Sequence, residues 1–167
     1  MRMKRVAKRR RREGRTNYLQ RLKLLKSEKP RLVFRKTNSY VIAQYIVSEN
    51  AQDKIIFGIT SKELLRQGWP KENKGSLKSI PASYLLGMLV AKKIEKEKLE
   101  QPIVDFGMLR VNYKTKLFAF LKGVIDAGLE IACPEEAFPE EERIEGKTLK
   151  EDFSTKFNEI KSKIEKQ

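Results

Sequence analysis

The sequence predicts an α/β fold with a mixed sheet and helices packed on it, and three observations lead to this class. Three strand-like runs lie close together between residues 31 and 60, and their short connections favour an antiparallel meander. Two later segments repeat apolar residues at helical spacing, and each precedes another strand-like run. A helix between two strands of one sheet implies parallel pairing, so the predicted order is β-β-β-α-β-α-β.

The N-terminal part of the chain predicts an arm and a helix. Residues 1–15, MRMKRVAKRRRREGR, contain too little apolar surface to pack, so we expect a basic arm that is disordered without a partner. A helix over 16–27 follows, with Thr16 as its N-cap. Its apolar residues recur at helical spacing, at Tyr18, Leu19, Leu22 and Leu25.

The three strand-like runs cover residues 31–37, 40–47 and 54–60. The second is rich in β-branched and aromatic residues, and the third alternates in period two. A short helix is predicted to end at Gly68. A long helix then begins near Pro81, and its first half is apolar all round, which indicates burial.

Within this long helix, Gly87 costs roughly 1 kcal/mol relative to Ala, so we expect it to lie close to another backbone. Residues 102–108 predict the fourth strand, an apolar stripe over 117–125 predicts the next helix, and 129–133 predict the last strand. An acidic loop over 134–145 and an exposed terminal helix over 149–164 complete the chain. We divide it into an arm (1–15), an α/β domain (16–133) and a terminal part (134–167).

Nearly all of the net positive charge lies near the N-terminus. Residues 1–36 contain sixteen Lys or Arg and two Glu, a net charge of +14 in a chain of +15. Charge of this density suits a polyphosphate partner, because each neutralised phosphate releases condensed counterions. The alternatives are a solvated basic tail, a targeting signal, or a polybasic arm that binds a membrane surface.

Other features weigh against a membrane or a secreted protein. Residue 2 is Arg rather than the Gly needed for myristoylation, and no apolar run reaches the roughly 18 residues that span a bilayer. The N-terminus lacks the apolar middle of a signal peptide. The single cysteine, Cys133, cannot form an internal disulfide and agrees with a reducing cytoplasm.

Catalytic chemistry has few candidate residues. The chain has no His, which removes Ser-His and Cys-His nucleophiles and His-containing zinc sites. The β-β-β-α-β order is shared by ribonuclease H-like nucleases, whose two-metal chemistry needs carboxylates on the first and fourth strands. Here Asp105 lies on the fourth strand, but the first strand carries Arg35 and Lys36 instead. We therefore predict no catalytic residue, no metal and no cofactor.

Four segments are candidates for RNA contact. The first is the arm together with its helix, and the second is the basic turn after the first strand. The third is the polar loop before the long helix, and the fourth is the connection before the last helix of the domain. The alternatives are a solvated hairpin tip, an exposed linker and an ordinary charged loop. The predicted residues are Arg5, Lys8, Arg9, Arg10, Arg11, Arg12, Arg15, Arg21, Arg35, Lys36, Asn38, Tyr40, Gln44, Lys71, Lys74, Lys78, Arg110, Lys114 and Lys116.

Within the basic turn, strand alternation would place Tyr40, Ile42 and Gln44 on one face, where Tyr40 can stack on an unpaired base. Trp69 is another candidate for stacking, but a lone Trp after a helix end is more often a packing anchor, which we favour.

Five segments carry a family resemblance, and they are RRRREGRTNYLQRLKLLKSEKPRLVFRKTNSYVIAQ (9–44), KELLRQGW (62–69), PASYLLG (81–87), LFAFLKGVIDAGLEI (117–131) and EEAFPEEERIEG (135–146). These segments resemble the large-ribosomal-subunit protein family that binds 5S rRNA, number eighteen in the bacterial count, in its archaeal and eukaryotic form. The resemblance implies a non-catalytic component of the central protuberance in the cytoplasmic ribosome. It implies that the arm and the α/β domain hold 5S rRNA against the large, 23S-type rRNA, beside neighbouring ribosomal proteins that include another 5S-binding protein. The alternative functions are a non-ribosomal RNA-binding protein and a polybasic protein at a membrane surface.

Overall fold

A computed structural model of the chain describes residues 6–147 and 153–166. In chain order the helices and strands are α1 (Arg9–Arg12), α2 (Tyr18–Lys26), β1 (Arg31–Lys36), β2 (Val41–Glu49), β3 (Gln52–Thr60), α3 (Leu64–Gln67), α4 (Ile80–Lys96), β4 (Ile103–Asp105), α5 (Lys116–Asp126), α6 (Glu141–Glu145) and α7 (Ser154–Glu165). Three 3-10 turns lie at Ser61–Glu63, Lys71–Ser76 and Glu135–Ala137.

The strands form one mixed sheet in the spatial order β3-β2-β1-β4. β1 pairs antiparallel with β2, and β2 pairs antiparallel with β3, which confirms the predicted meander. β4 pairs parallel with β1 after the α4 crossover. The mixed α/β class is therefore confirmed, with a sheet that has β3 and β4 at its two edges.

The predicted last strand over 129–133 is wrong. This segment is not a strand in the structure, so the order along the chain is β-β-β-α-β-α. The N–H of Leu129 donates to the Val124 carbonyl and completes the end of α5, while the Glu130 carbonyl accepts from the side chain of Gln101. The alternating apolar residues that predicted a strand, Leu129, Ile131 and Cys133, pack against the core instead.

One face of the sheet packs on α4 and α5. Val41, Ala43 and Tyr45 alternate along β2 and are all buried, as strand periodicity requires of a covered face. The two helices cross closely because Gly87 and Gly123 lie at the crossing: a Cβ on Gly87 would collide with the Phe120 carbonyl, and one on Gly123 with the Tyr84 carbonyl. The expectation of close backbone approach at Gly87 is confirmed.

The predicted exposure of the terminal helix is also wrong. Phe157, Ile160 and Ile164 share one face of α7 because they recur at helical spacing. This face packs with residues of α3 and α4 and forms a second apolar cluster. Trp69 is buried there against Phe153, with ring centroids 4.6 Å apart, which confirms its role as a packing anchor. Residues 149–152 of the predicted helix lie outside the described part of the chain.

The acidic segment over 134–145 contains structure where the sequence predicts a loop. A 3-10 turn and α6 occupy it, and Ile144 of α6 is buried in the second apolar cluster. Burial of this one apolar side chain holds α6 against the domain. Across the described residues, no helix is both long enough and apolar enough to cross a membrane.

The described part of the predicted arm, residues 6–15, contains one short helix, and its disorder without a partner stays a prediction. α1 forms a single helical turn that buries none of its residues. The N-cap of α2 is Asn17, whose Oδ1 accepts from the N–H of Gln20 at 3.3 Å, rather than Thr16. Thr16 is engaged elsewhere, because its hydroxyl accepts a hydrogen bond from Arg10 Nε at 2.9 Å.

Candidate nucleic-acid interface

The basic arm is exposed throughout its described part. Lys8, Arg9, Arg10, Arg11, Arg12 and Arg15 are all solvent-accessible, and Arg5 lies outside the described residues. Glu13, the one acidic residue of the arm, accepts ion pairs from Arg9 at 3.8 Å and Arg15 at 3.2 Å. Exposed pairs of this kind contribute little energy, so the arm keeps nearly all of its cationic character.

Arg21 has a different environment from the arm. Its Nη1 and Nη2 donate to the two carboxylate oxygens of Asp53 at 3.0 and 3.1 Å, and Nη2 also donates to the Ala51 carbonyl at 3.3 Å. A bidentate guanidinium–carboxylate pair has well-defined geometry. Arg21 therefore ties α2 to the turn between β2 and β3 and to the start of β3, while its RNA contact stays a prediction.

Asp53 belongs to an ion network that the sequence did not predict. Arg31 Nη2 lies 2.7 Å from Asp53, and Arg31 Nη1 lies 3.1 Å from Asp105. Burial raises the pKa of Asp53, but hydrogen bonds from Arg21, Ser48 and Arg31 outweigh it and lower the pKa to about 2. Asp53 is therefore ionised at neutral pH and holds α2 and the sheet together.

Arg35 lies at the opposite end of the same network. Its Nη1 donates to the carbonyls of Phe34 and Asp105 at 2.8 and 3.0 Å, and its Nη2 lies 3.6 Å from the Asp105 carboxylate. The guanidinium rests on Gly107, where a Cβ would collide with it. With Arg10 and Arg15 of the arm, Arg35 lines a cleft of about 260 Å³.

The polar candidates Asn38 and Tyr40 lie in the turn after β1 and Gln44 lies on β2, so the three have different environments. Asn38 is exposed, and its carbonyl accepts from Lys78 Nζ at 2.6 Å. β2 begins at Val41, so Tyr40 belongs to the turn, half-buried with Lys62 Nζ 4.4 Å from its ring centre. Gln44 lies on β2 opposite Gly58. Of the three residues predicted to share one strand face, Ile42 and Gln44 lie on β2, whereas Tyr40 precedes the strand.

Three lysines from separate segments converge next to this turn. Lys36 ends β1, Lys78 precedes α4, and Lys116 begins α5. Burial lowers the pKa of Lys116, and the positive charges of Lys36 and Lys78 lower it further. The fold thus gathers like charges that repel one another, which is a cost to folding that an anionic partner would offset.

The other two candidates of the loop before α4 are not part of this cluster. Lys71 and Lys74 are exposed on the 3-10 segment Lys71–Ser76. The N-terminus of α4 is capped by Ser79, whose side chain accepts from the N–H of Ala82 at 3.4 Å. Lys71, Lys74 and Lys78 were predicted to form a phosphate site at this helix, and only Lys78 lies near Lys36 and Lys116.

A cleft of about 390 Å³ opens beside the lysine cluster. Its cationic rim comprises Lys36, Arg110, Lys114, Lys116 and Arg143. Apolar side chains of Phe34, Ile80, Leu109 and Leu117 also line it. Within the described residues, only Lys114 of these cations has a carboxylate partner, Glu140 at 3.3 Å. We refer to this feature as the basic cleft.

Arg143 is the residue of the basic cleft that sequence reasoning missed. It comes from α6, inside the acidic segment, and it is the one basic residue of 134–145. That isolated positive charge among glutamates was the available signal. The location of Arg143 in the cleft could not be predicted from the sequence, because it depends on how α6 packs through Ile144.

Asp105 does not have the surroundings of a metal-dependent nuclease. Its carboxylate is paired with Arg31 and Arg35, and one oxygen also accepts from the N–H of Gly107 at 2.7 Å. In the part of the chain that the structure describes, no group of three His, Cys, Asp or Glu residues could hold a metal ion. Asp105 is therefore part of a buried ion network with Arg31 and Arg35.

Comparisons with known proteins identify the family of this chain. Residues 2–103 match the family model described as ribosomal large subunit proteins 60S L5 and 50S L18. The large ribosomal subunit protein uL18 of Korarchaeum cryptofilum (strain OPF8) is 43% identical over 141 residues, which are 84% of this chain and 70% of the relative. The family resemblance seen in the sequence is confirmed: this chain belongs to the uL18 family of ribosomal proteins of the large subunit.

Proposed function

We propose that this chain binds 5S rRNA and helps to attach it to the large rRNA in the central protuberance of the cytoplasmic ribosome. Family membership makes it a structural protein of the large ribosomal subunit. The single observation that carries the RNA contact is the convergence of three cations from distant segments. Lys36 and Lys116 line one cleft, and Lys78 bonds to the Asn38 carbonyl in the adjoining turn, so an RNA phosphate there would relieve their mutual repulsion.

The arm and the folded domain contribute in different ways. The arm supplies exposed guanidinium and ammonium groups with little structure of their own, and these suit sequence-independent contacts to phosphates. The domain supplies cations at fixed positions, which can set the register of a folded RNA. The arm orders fully only when it lies on RNA, at roughly 1–2 kcal/mol of backbone entropy for each residue fixed.

The protein partners are the neighbouring large-subunit proteins, including another 5S-binding protein. Their docking surface comprises exposed glutamates of 134–145 that do not line the basic cleft, because phosphate would repel these side chains. The proposed function is structural and involves no catalysis, because the protein holds and positions the RNA without breaking any of its bonds.

A gel-shift titration of the full chain with 5S rRNA, and with tRNA as a structured competitor, tests the proposal. If six to ten phosphates are neutralised, affinity for 5S rRNA should fall roughly 10³–10⁵-fold between 50 and 200 mM salt, on the scale established for duplex DNA. Tighter binding to 5S rRNA than to tRNA at 200 mM salt is the expected result. Equal affinity for both RNAs would contradict a specific 5S rRNA contact.

A further inference from the structure

We propose that the basic cleft receives a single unstacked nucleotide of the bound RNA, with its base against the apolar lining and its phosphate at the lysines of the rim. This inference rests on the proposed function and deepens it. It assigns to one concave site a ligand of defined chemistry, an unpaired nucleotide, rather than the backbone of a duplex.

The first step of the argument is the mixed lining of the cleft. A surface that contacts only duplex phosphates needs cations, and apolar side chains add nothing there. Among the residues that line the basic cleft, Leu109 and Ile80 are half-buried, while Phe34 and Leu117 are buried. An unpaired base has a flat apolar face and a charged phosphate beside it, so it matches both parts of the site.

The second step is size and shape. A cleft of about 390 Å³ lies within the range of roughly 300–1,000 Å³ that small-ligand sites occupy. It is too small for the width of an RNA helix, whose bases are in any case hidden in the stack. One nucleotide that has left the stack is the part of an RNA that fits.

The third step is the free charge at the rim. Lys36, Arg110, Lys116 and Arg143 have no carboxylate partner among residues 6–147 and 153–166, and no glutamate lines the cleft. Lys116 is half-buried and lies near the positive charges of Lys36 and Lys78. Cations held together without a counter-charge indicate an anionic ligand.

A fourth, independent observation concerns the connection between β4 and α5. Met108, Val111 and Tyr113 on this segment are 53%, 54% and 58% exposed, and they are among the most exposed large apolar residues of the described chain. Tyr113 meets Phe118 edge to face, with ring centroids 5.4 Å apart, which fixes its position next to Lys114. An exposed aromatic ring beside a cation is a platform on which the neighbouring base can stack.

The test is photo-crosslinking of the full chain to 5S rRNA that carries 4-thiouridine, with the linked peptides identified by mass spectrometry. A crosslink within residues 109–117 is expected. Leu109→Ala, which removes apolar lining, should weaken binding about tenfold and leave the salt dependence unchanged. Lys116→Gln should weaken binding and reduce the slope of log affinity against log salt by about one.

Lys156→Gln is the matched control, because Lys156 is an exposed lysine on α7, far from the cleft in sequence and outside its lining. Thermal unfolding of each variant shows whether the fold is intact. Wild-type affinity of both cleft variants, with no crosslink in 109–117, would overturn the nucleotide site while leaving the proposed function in place. Failure of the wild-type chain to prefer 5S rRNA would overturn both. Loss of affinity for an acidic protein partner, with RNA affinity unchanged, would assign the cleft to that partner instead.

Discussion

Arg31 and Asp105 form an ion pair inside the protein, with Nη1 of the guanidinium 3.1 Å from Oδ2 of the carboxylate. Only 3% of the Arg31 side chain and 8% of the Asp105 side chain are exposed. The two residues lie on the neighbouring parallel strands β1 and β4, the only parallel pair among the described strands. The pair therefore joins the edge strand that follows the α4 crossover to the middle of the sheet.

Replacing Asp105 by Asn should destabilise the protein by about 3 kcal/mol. The change keeps the size of the side chain but leaves the buried Arg31 charge with Asp53 alone, and removing one partner of a buried pair is costly. Urea denaturation followed by circular dichroism measures the free energy of unfolding. Glu136→Gln, at an exposed position, is the control. A change below about 0.5 kcal/mol for Asp105→Asn would mean that the pair contributes little.

Asp53 should make the stability depend on pH in the acid range. Its pKa is about 2 in the folded protein, against about 3.9 in an unfolded chain. Its contribution is therefore present in full above about pH 4 and is lost as the pH falls from 4 towards 2. We expect Asp53→Asn to be less stable by about 1 kcal/mol at pH 7, since a third of the side chain is exposed and solvent screens it.

As the pH approaches 2, the difference in free energy of unfolding between the wild type and Asp53→Asn should shrink to a small fraction of its value at pH 7. At pH 2 Asp53 is about half protonated in the folded protein and almost fully protonated in the unfolded chain. Urea titrations at pH 7, 4, 3 and 2 measure this convergence. Glu142→Gln, an exposed acidic residue on α6, should run parallel to the wild type over the same range. A constant difference between Asp53→Asn and wild type at every pH would show that the effect is steric.

Gly87→Ala should destabilise the crossing of α4 and α5 by about 1–3 kcal/mol or more. The added methyl group would collide with the Phe120 carbonyl and press on the backbone at Gly123, and overpacking against backbone is not relieved by a side-chain rotation. Gly75→Ala is the matched control, since nothing lies within 4 Å of a Cβ there. Equal unfolding temperatures for the two variants would refute the close approach.

Local sequence pattern predicted much of the fold, because the spacing of apolar residues and the helix caps depend on residues that are neighbours in the sequence. The meander, the helix end at Gly68 and the tight spot at Gly87 could all be predicted this way. The strand expected at 129–133 failed because pairing requires a partner edge, and local alternation cannot supply one.

The candidate site divides in the same way. Cations can be counted along the sequence, but their partners cannot. Arg21 and Arg31 both meet Asp53, and Arg31 also meets Asp105, 74 residues away, so two of the apparent surface charges are structural. Lys36 and Lys116 have no such partner in the described chain and face one cleft instead. Only tertiary packing separates these two classes of basic residue.

Deleting residues 1–15 should weaken the binding of 5S rRNA strongly and leave the unfolding temperature of the domain nearly unchanged. The deletion removes nine Lys or Arg and one Glu, so fewer phosphates are neutralised, and the salt slope should become shallower by up to about 0.9 for each lost contact. The unfolding temperature should hold because α1 buries no residue. The arm touches the domain mainly through Arg10 on Thr16 and Lys8 over the ring of Tyr18.

Gel shifts at several salt concentrations and a thermal melt of the same preparation measure both halves of this prediction. A double variant, Arg11→Gln with Arg12→Gln, keeps the length of the arm and should lie between the wild type and the deletion in affinity. If the deletion lowers the unfolding temperature by more than a few degrees, the arm stabilises the domain. If affinity and salt slope stay at wild-type values, the phosphate contacts lie on the folded domain alone, at the basic cleft and its lysines.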